Sequence, residues 1–529
     1  MSLFSRRNIR AFNGVVADVL RVACLFSAIL ILIGTTIALC RTILIEHRLD
    51  VKLGGRPEDT RDVVDESRIM KQAERLAGAL KIPTISYKTD HQETKAFLAL
   101  HEYLQKSFPV LHSHPAVKRE IVNELSLLYT IQGTKSGALP YLLASHLDVV
   151  PVNEKGWLVP PFGGFIVNGT YIYGRGAMDD KCGVMGILEA LEYLLQQGER
   201  PHRTFFLAFG HDEEVSGKRG AQEIAKLLKN RGINELDFVL DEGFPISDDL
   251  TPGTSRPVAM VGVSEKGTAT LELSVFGTPG HSSFPPAETP IGVLSAGLAR
   301  LEQRKFKSMF GSGPEKQMFE HLAPHVTFMY KLLYSNLWFF GPLMESHMAT
   351  MPVTNAFLRT TTAITMFQAG VKENIVPQSA TAVVNFRIHP AQTVNDVLEF
   401  TREVIADARI QIKIKRSREA HPISPHGPYN VPYQLISTSI RQVYRQAIVV
   451  PAVFIANTDT RWYLDFSTNI YRFLPTLIKL DDIGRYHGHN ERMAVVNYHH
   501  AVNFYYRIMK NADLALSKEY TTQPFSAEL

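Results

Sequence analysis

The sequence predicts an α/β protein with a mainly parallel sheet, an inserted α+β domain (here called the lid domain) and an apolar helix at the N-terminus. Three observations support this fold class. Short apolar runs alternate with helical patterns between residues 66 and 263, half-exposed strand patterns follow from residue 264, and residues 22–40 carry no charge. Strands that alternate with helices form βαβ units, whose strands are parallel. At 529 residues the chain is also longer than a single core normally supports.

The composition is that of an ordinary globular enzyme. Hydrophobic residues make up 45% of the chain and charged residues 20%, and the formal net charge is +4. So small a charge for this length gives no reason to expect a nucleic-acid partner. Two of the three cysteines, Cys24 and Cys40, lie in the N-terminal apolar segment, so the sequence has no disulfide framework.

The N-terminal segment predicts either a signal-anchor helix or a cleaved signal peptide. Arginines up to Arg21 precede the uncharged run from Val22 to Cys40. As a helix this run rises roughly 28 Å, about one bilayer core. Because the basic side precedes the helix, the N-terminus should stay in the cytosol and the body should enter the secretory pathway. We expect a single-pass membrane protein with a lumenal or extracellular body, or a secreted one if cleavage follows Cys40.

A glycosylation sequon, Asn168-Gly169-Thr170, agrees with a lumenal body. The pair Asn-Gly suits a tight hairpin turn, so we expect the sequon at an exposed hairpin tip.

The predicted domain limits follow from these patterns. A cytosolic basic end and the apolar helix occupy residues 1–41, a polar stalk 42–65, the main domain 66–263 and 419–529, and the lid domain 264–418 with an apolar insertion at about 305–352. Helices of the main domain are predicted at residues 66–80, 94–107, 220–229 and 496–512, with a further helix after Lys181.

Three predicted strands of the main domain lead into histidine or acidic residues. Residues 142–144 lead into His146 and Asp148, residues 205–209 into His211-Asp-Glu-Glu214, and residues 238–240 into Asp241-Glu242. Ligands gather at the carboxyl ends of parallel strands. His146 and Asp148 stand two positions apart and can face one site together. One such strand end is a weak sign of a metal site, but three together are a strong one.

The lid domain is predicted as an antiparallel sheet with helices on one face. Strand patterns occupy residues 268–276, 380–388 and 410–415, and helical patterns occupy 291–301 and 393–406. The insertion between its halves contains FMYKLLY from Phe328 and LWFFGPL from Leu337. The lysine and prolines argue against a membrane span, so we expect packing within the domain. An apolar wall for a substrate, or a membrane-facing patch, remains open.

The strand ends and two loops together supply residues suited to a metal site: His146, Asp148, Asp179, Glu213, Glu214, Glu242 and His487. Histidine and carboxylate ligands without thiolate suit catalytic zinc. Two metals about 3.5–4 Å apart need a bridging carboxylate, and a further carboxylate must take the proton from the attacking water. The adjacent acids Glu213 and Glu214 can divide these tasks. Cys182 begins a helix beneath the metal loop and is not the expected nucleophile.

Six motifs are similar to those of a known family. SHLDVVP, YGRGAMDDK, GHDEEVSG, DEG, GTPGHSS and HGHNER resemble motifs of the zinc carboxypeptidase/aminoacylase family (peptidase family twenty), which includes aminoacylase, carnosinase and carboxypeptidase S. The resemblance runs from about residue 66 to the C-terminus. Further similarity in VSEKG, TTTAITMFQAGVKENIVPQSATAVVNFRIHPAQTV and ANTDTRWY points to members that act on N-fatty-acyl amino acids.

The resemblance implies a role for each residue of the set. His146 and Glu242 would bind one zinc ion, Glu214 and His487 the other, and Asp179 would bridge them, while Asp148 orients His146 and Glu213 is the general base. Asp241 remains an alternative to Glu242, and His489 to His487. The peptide bond between Asp179 and Asp180 is cis in relatives.

The resemblance also implies roles for residues outside the metal set. His281 polarises the scissile carbonyl, and Asn374 and Arg387 bind the substrate, with Arg387 suited to a free carboxylate. Asn457, Asp459 and Arg461 match a stretch near the substrate in relatives.

The expected function is that of a dinuclear zinc amidohydrolase, with two zinc ions, that cleaves and in reverse forms the amide bond between a fatty acyl group and an amino acid. A carboxypeptidase of short peptides, resembling carboxypeptidase S, is the alternative. A non-catalytic membrane-anchored binding protein of the same fold would require the loss of a ligand or of the base, and the sequence retains both. The expected partners are a small-molecule substrate, the membrane if the N-terminal helix is uncleaved, and a second copy through the lid domain.

Overall fold

The computed structural model describes residues 6–45 and 64–515, with side chains from residue 20 onward. The helices are α1 (Arg6–Leu44), α2 (Ile69–Leu80), α3 (Thr94–Ser107), α4 (Pro109–Ser113), α5 (Lys181–Gln196), α6 (Ala221–Asn230), α7 (Pro290–Gln303), α8 (Glu315–Leu322), α9 (Phe328–Ser335), α10 (Leu337–Met348), α11 (Pro352–Leu358), α12 (Val394–Ile405), α13 (Val431–Val443), α14 (Leu480–Ile483) and α15 (Val495–Leu514). Short 3₁₀ helices occupy Glu66–Arg68, Glu213–Val215, Ala323–His325 and Asp459–Trp462.

The strands are β1 (Ser86–Lys88), β2 (His91–Gln92), β3 (Val117–Val122), β4 (Ser126–Ile131), β5 (Tyr141–His146), β6 (Phe165–Val167), β7 (Tyr171–Tyr173), β8 (Phe205–Gly210), β9 (Val239–Ser247), β10 (Val258–Glu265), β11 (Gly267–Phe276), β12 (Gly280–His281), β13 (Thr361–Ala369), β14 (Ile375–Val376), β15 (Ser379–Ile388), β16 (Gln411–Arg418), β17 (Ile448–Phe454), β18 (Ile470–Ile478) and β19 (Arg492–Ala494).

An eight-stranded mixed sheet forms the centre of the main domain, in the order β17-β10-β18-β9-β5-β8-β4-β3. Four of its seven neighbouring pairs are parallel, which confirms the α/β fold class with a mainly parallel sheet. The antiparallel pairs involve β3 and β4 at one edge and β10 near the other. The chain connects β3 to β4, and β9 to β10, by segments too short for a parallel crossover.

The central strands are apolar throughout because both faces of the sheet are covered. Leu143 of β5 and Leu207 of β8 belong to the core formed with α5 and α15, whereas Leu142 and Phe206 belong to the core formed with α6. Successive residues of a strand point to opposite faces, so the continuous apolar runs supply both cores. The strand ends are thereby held rigidly.

The three strands that carry predicted ligands are neighbours, in the order β9-β5-β8, and all run parallel. Their carboxyl ends therefore meet at one edge of the sheet, as the sequence predicted. One boundary differs from the prediction. Strand β9 extends to Ser247, so Asp241 and Glu242 lie inside the strand and not after it.

The lid domain is a four-stranded antiparallel sheet in the order β13-β15-β11-β16. Its apolar residues alternate along β15, and those that point inward pack against α7 and α12. The predicted strands and helices of this domain are present, with limits shifted by at most a few residues. Strands β12 and β14 form a separate two-stranded ladder that belongs to the same part of the chain.

The apolar insertion, α8 to α11, packs mainly against the main domain and not within the lid domain. Phe319, Tyr334 and Leu337 of the insertion share one buried cluster with Val258 of β10 and Val450 of β17. Strand β17 is an edge strand whose apolar residues need a cover, and the insertion supplies that cover. The expectation of packing within the lid domain is therefore wrong for these helices.

Helix α1 contains the one segment of the described residues, Leu20–Leu44, that is long and apolar enough to cross a membrane. It is almost entirely exposed except near its C-terminal end. The helix enters the predicted stalk by a few residues, and residues 46–63 of that stalk lie outside the described part of the chain.

The sequon lies at a hairpin tip, as predicted. Strands β6 and β7 pair antiparallel, and Asn168 and Gly169 between them both have positive φ angles, of 51° and 65°. These angles suit the mirror-image turn that asparagine and glycine favour in two-residue hairpins. Asn168 is exposed, and its glycosylation stays a prediction.

Candidate metal centre

Five segments of the main domain bring two imidazoles and four carboxylates together beside β9, β5 and β8. His146 ends β5, Glu213 and Glu214 lie in the 3₁₀ helix after β8, Glu242 lies in β9, Asp179 precedes α5, and His487 lies between α14 and β19. The ligand atoms of His146, Asp179 and Glu214 lie within 4.8 Å of one another, and so do those of His146, Glu213 and Glu242. These six residues are called the metal centre below.

The first imidazole faces two carboxylates. The Nε2 atom of His146 lies 3.0 Å from Oδ1 of Asp179 and 3.6 Å from Oε1 of Glu242. Asp241 does not face this imidazole in the same way, because its Oδ1 accepts the backbone N–H of Glu242 at 2.9 Å. Of the two acids that the sequence left open, the geometry favours Glu242.

The second imidazole shares Asp179 with the first. The Nε2 atom of His487 lies 3.0 Å from Oδ2 of Asp179 and 3.3 Å from Oε2 of Glu214. Asp179 thus turns one oxygen toward each imidazole, which is the arrangement of a bridging carboxylate. His489 instead lies against Gly156. The geometry favours His487 over His489, and the peptide bond between Asp179 and Asp180 is cis, as expected.

The residues of the metal centre fit zinc. Histidine and carboxylate donors without a thiolate are typical of catalytic zinc sites. The Oε1 atom of Glu214 is buried and has no hydrogen-bond partner, as expected for an oxygen that a cation would contact. Cys182 is buried and its Sγ donates to the carbonyl of Met178 at 3.3 Å, so it takes no part in the donor set.

Burial and crowding oppose the ionisation of the three glutamates of the metal centre. Burial raises the pKa of Glu213 and of Glu242 well above the usual range. Burial, followed by the charge of Asp179, raises the pKa of Glu214 to about 7. Conversely, the hydrogen bonds to Asp179 and Glu214 raise the pKa of His487 to about 10. Divalent cations would relieve this repulsion between carboxylates and release protons from the imidazoles.

Asp148 has a wider positioning role than the sequence predicted. Its Oδ1 lies 3.3 Å from Nδ1 of His146, which agrees with the predicted orienting contact. The same carboxylate also accepts the backbone N–H groups of Glu213, at 3.1 Å on Oδ1, and of Glu214, at 3.2 Å on Oδ2. One fully buried side chain therefore positions residues in both halves of the metal centre.

Sequence reasoning missed a buried ion pair behind the metal centre. Glu491 accepts the backbone N–H groups of Met178 and Asp179 at 2.7 and 3.1 Å, and also accepts Nη1 of Arg175 at 2.6 Å. Arg175 Nη2 donates to the carbonyl of His487 at 3.0 Å. The pair joins the loop that carries Asp179 to the turn that carries His487. Arg175 and Glu491 lie inside two of the quoted motifs, but the residues around each one do not indicate that the two form a pair.

The segment from Asn457 to Arg461 connects the expected base to the lid domain. Nη2 of Arg461 lies 2.9 Å from Oε1 of Glu213. Asn457 accepts a hydrogen bond from Nη1 of Arg387 on strand β15 and donates to Glu265 at 2.8 Å. Arg387 forms no ion pair with a carboxylate among the described residues. Its guanidinium can therefore donate to the carboxylate of a bound molecule. The resemblance implied that Asn457 and Arg461 lie near the substrate, but it did not reveal this chain of contacts.

His281 and Asn374 lie together in the lid domain. His281 is exposed at the end of β12, where its Nδ1 accepts the N–H of Ser283 at 3.1 Å. The N–H of Ser282 donates to the carbonyl of Asn374 at 3.1 Å. Among the described residues, no hydrogen bond or ion pair joins His281 or Asn374 to the metal centre.

The fold, with its paired-imidazole site, belongs to a class of metal-dependent peptidases. The family "Peptidase family M20/M25/M40" matches residues 142–511, so the chain belongs to this family and is one of its enzymes. This match confirms the resemblance that the motifs predicted.

Particular relatives show the same relationship, and one solved structure shows the same fold. The chain is 47% identical over 451 residues to the N-fatty-acyl-amino acid synthase/hydrolase PM20D1 of Mus musculus, covering 85% of this chain and 89% of that protein. It is 40% identical over 447 residues to a probable carboxypeptidase S-like 2 of Dictyostelium discoideum, covering 83% and 85%. The crystal structure of the M20 family metallo-carboxypeptidase Sso-CP2 from Sulfolobus solfataricus superposes with a TM-score of 0.60 at 19% identity, covering 84% and 99%.

Replacing Asp148 with asparagine should weaken the metal centre while preserving the fold. An amide offers only one acceptor oxygen, so at least one of the three groups that the carboxylate holds loses its partner. We expect zinc affinity to fall by about 10–100-fold and hydrolysis to fall with it. Zinc per chain is measured against a competing chelator, with circular dichroism for the fold and the exposed Asp481→Asn variant as control. Unchanged zinc affinity would contradict the assigned role.

The variants His487→Ala and His489→Ala should behave differently. His487 contacts Asp179 and Glu214, whereas His489 lies against Gly156, so only the first substitution should remove a metal ligand. Metal analysis of the purified proteins should show one zinc lost from His487→Ala and none from His489→Ala. The reverse pattern would show that the ligand was assigned to the wrong histidine.

Proposed function

We propose that this protein is a dinuclear zinc amidohydrolase that cleaves, and in the reverse direction forms, the amide bond between a fatty acyl group and an amino acid. One observation carries the proposal: two imidazoles on the two oxygens of one carboxylate, with three further glutamates around them, in a chain similar over most of its length to an N-fatty-acyl-amino acid synthase/hydrolase.

Glu213 is the proposed general base. When bound, two zinc ions would activate a water molecule and polarise the amide carbonyl. Glu213 would take a proton from the attacking water and pass it to the nitrogen of the departing amino acid. Burial raises the pKa of Glu213, and the guanidinium of Arg461 partly offsets this rise. A raised pKa suits a group that must both accept and return a proton.

Arg387 is the proposed partner of the substrate carboxylate. Its guanidinium is half-buried and contacts the uncharged Asn457. A free carboxylate would form a bidentate pair with this fork of donors, which favours substrates with an unblocked amino-acid end. Asn374 is a further proposed substrate contact. His281 would polarise the carbonyl only after the lid domain moves or from a second subunit, because among the described residues no hydrogen bond or ion pair joins it to the metal centre.

An aromatic wall supports an acyl substrate. The ring of Phe244, two residues after Glu242, lies 4.8 Å from Phe454 and 6.1 Å from Phe357, centroid to centroid. Phe357 belongs to α11 at the end of the apolar insertion. Phe244 itself is buried, but Phe357 and Phe454 are half-buried, and their exposed parts would offer apolar surface to an acyl chain, which a dipeptide does not need.

The proposed location is the secretory pathway, with the enzyme either anchored by α1 or secreted after cleavage. The apolar helix near the N-terminus and its preceding arginines support this location. Pairing of two copies through the lid domain remains a prediction.

The Glu213→Gln variant tests the mechanism. Glutamine keeps the size of the side chain but cannot take a proton, so we expect turnover of an oleoyl amino acid to fall by about 10²–10⁴-fold while two zinc ions stay bound. Turnover is followed by mass spectrometry and zinc by metal analysis. The control is Glu102→Gln, at an exposed position of α3. Normal hydrolysis by a fully loaded Glu213→Gln enzyme would exclude the proposed role.

Competition between substrates separates the two candidate activities. A carboxypeptidase of short peptides is the second candidate, supported by the similarity to a carboxypeptidase S-like protein. With an oleoyl amino acid and a dipeptide at equal concentration, we expect the acyl substrate to be consumed first, because only its chain can use the aromatic wall. The same incubation with free fatty acid and amino acid tests synthesis. Preferential consumption of the dipeptide would favour the carboxypeptidase.

A further inference from the structure

The insertion exposes a large apolar surface on α9 and α10. Phe328 and Met329 begin α9 and are 57% and 65% exposed, and Trp338, Phe339 and Leu343 of α10 are 53%, 61% and 61% exposed. These five residues are called the aromatic platform below. Single exposed apolar side chains are common, but adjacent large ones in two consecutive helices normally mark an interaction surface.

The exposed face of α10 is apolar over its first two turns. With 3.6 residues per turn, Trp338, Phe339, Pro342 and Leu343 fall on one side of the helix, and all four are exposed. Leu337, Gly341, Met344 and Met348 fall on the other side and are buried against the main domain. The helix is therefore apolar all round there, although half of it is not covered by this chain.

The aromatic platform lies beside the C-terminal end of α1. Asn336, between α9 and α10, donates from Nδ2 to the carbonyl of Ala38 and to Oγ1 of Thr42, both at 3.1 Å. Nε of Arg41 donates to the carbonyl of Ser335 at 3.3 Å, at the C-terminus of α9, where a cation is favoured. Ala38 and Thr42 are 6% and 1% exposed, so the insertion buries this side of α1.

These contacts fix the height of the platform relative to the uncharged run of α1. The run ends at Cys40, and Arg41 is the first charged residue after it, as expected where a spanning helix leaves the bilayer. Asn336 contacts α1 at this level, and Nε1 of Trp338 donates to Oδ1 of Asn336 at 3.2 Å. A tryptophan with its ring exposed and its N–H bonded is typical of the membrane interface.

We propose that the aromatic platform is seated in the lumenal leaflet of the membrane that α1 crosses, with lipid acyl chains as its partner. The fixed distance to the end of α1 brings the platform to the bilayer surface whenever α1 spans it. The aromatic platform would then be a monotopic membrane element, that is, a short apolar face that lies in the membrane interface. It does not depend on which amide the enzyme cleaves.

Photolabelling of the full chain in vesicles tests the seat. The vesicles consist of phosphatidylcholine, a fraction of which carries a diazirine in its acyl chain. After illumination and digestion, mass spectrometry should find lipid adducts on peptides from α9 and α10 as well as from α1. The triple variant Trp338→Ser, Phe339→Ser and Leu343→Ser should lose most adducts in α9 and α10 and keep those in α1. The matched control replaces Leu98 and Ile121, which are 46% and 54% exposed in the main domain, with serine.

Three outcomes would overturn the proposal. The first is adducts in α1 with none in α9 and α10. The second is crosslinking of the platform to another copy of the chain in place of lipid. The third is a mature N-terminus after Cys40, which removes the helix that sets the height of the platform. Labelling requires no turnover, so its result is independent of the substrate competition.

Discussion

Four carboxylates share one mostly buried space with two imidazoles and one guanidinium, and much of the main domain is arranged around this excess of negative charge. The carboxylates are mostly buried, so solvent screens them little and their oxygens need hydrogen-bond donors or a cation. Arg461 donates to Glu213, and the neighbouring carboxylates of Asp148 and Glu491 accept the backbone N–H groups of Glu213 and Met178. The remaining need for positive charge is what zinc would satisfy. The parallel strands, covered on both faces, hold the carboxylates so close together that their negative charges repel one another.

The sequence predicts those parts of the site that local pattern can reveal. Strand ends with His146, Glu213 and Glu214 stand out because an apolar run stops at a polar residue, and neighbouring parallel strands must end together. The limits of β9 were harder to predict, since Asp241 and Glu242 continue a strand that pattern alone ends at Leu240.

Pairs between distant segments were beyond the sequence. Nothing near Arg175 indicates that Glu491 is its partner, and nothing near Glu213 indicates Arg461, because such contacts depend on how the whole domain closes. The packing of the insertion could not be predicted from the sequence for the same reason. Its apolar helices could be recognised, but hydrophobicity does not tell which surface covers them, and the edge strand β17 proved to be that surface. The exposed position of His281 was equally unpredictable, because motif similarity does not state how the lid domain is oriented.

The contact between Asn336 and α1 also bears on the choice between an anchored and a secreted enzyme. Once formed, it buries Ala38 and Thr42, on either side of Cys40, and should shield the expected cleavage position. Asn336 is made roughly 300 residues after Cys40, which takes about 15–60 s at about 5–20 residues per second of synthesis. During that interval a signal peptidase would still have access to the expected cleavage position. The proportion of anchored and released protein would then be decided by a race between proteolysis and translation, before the enzyme has finished folding.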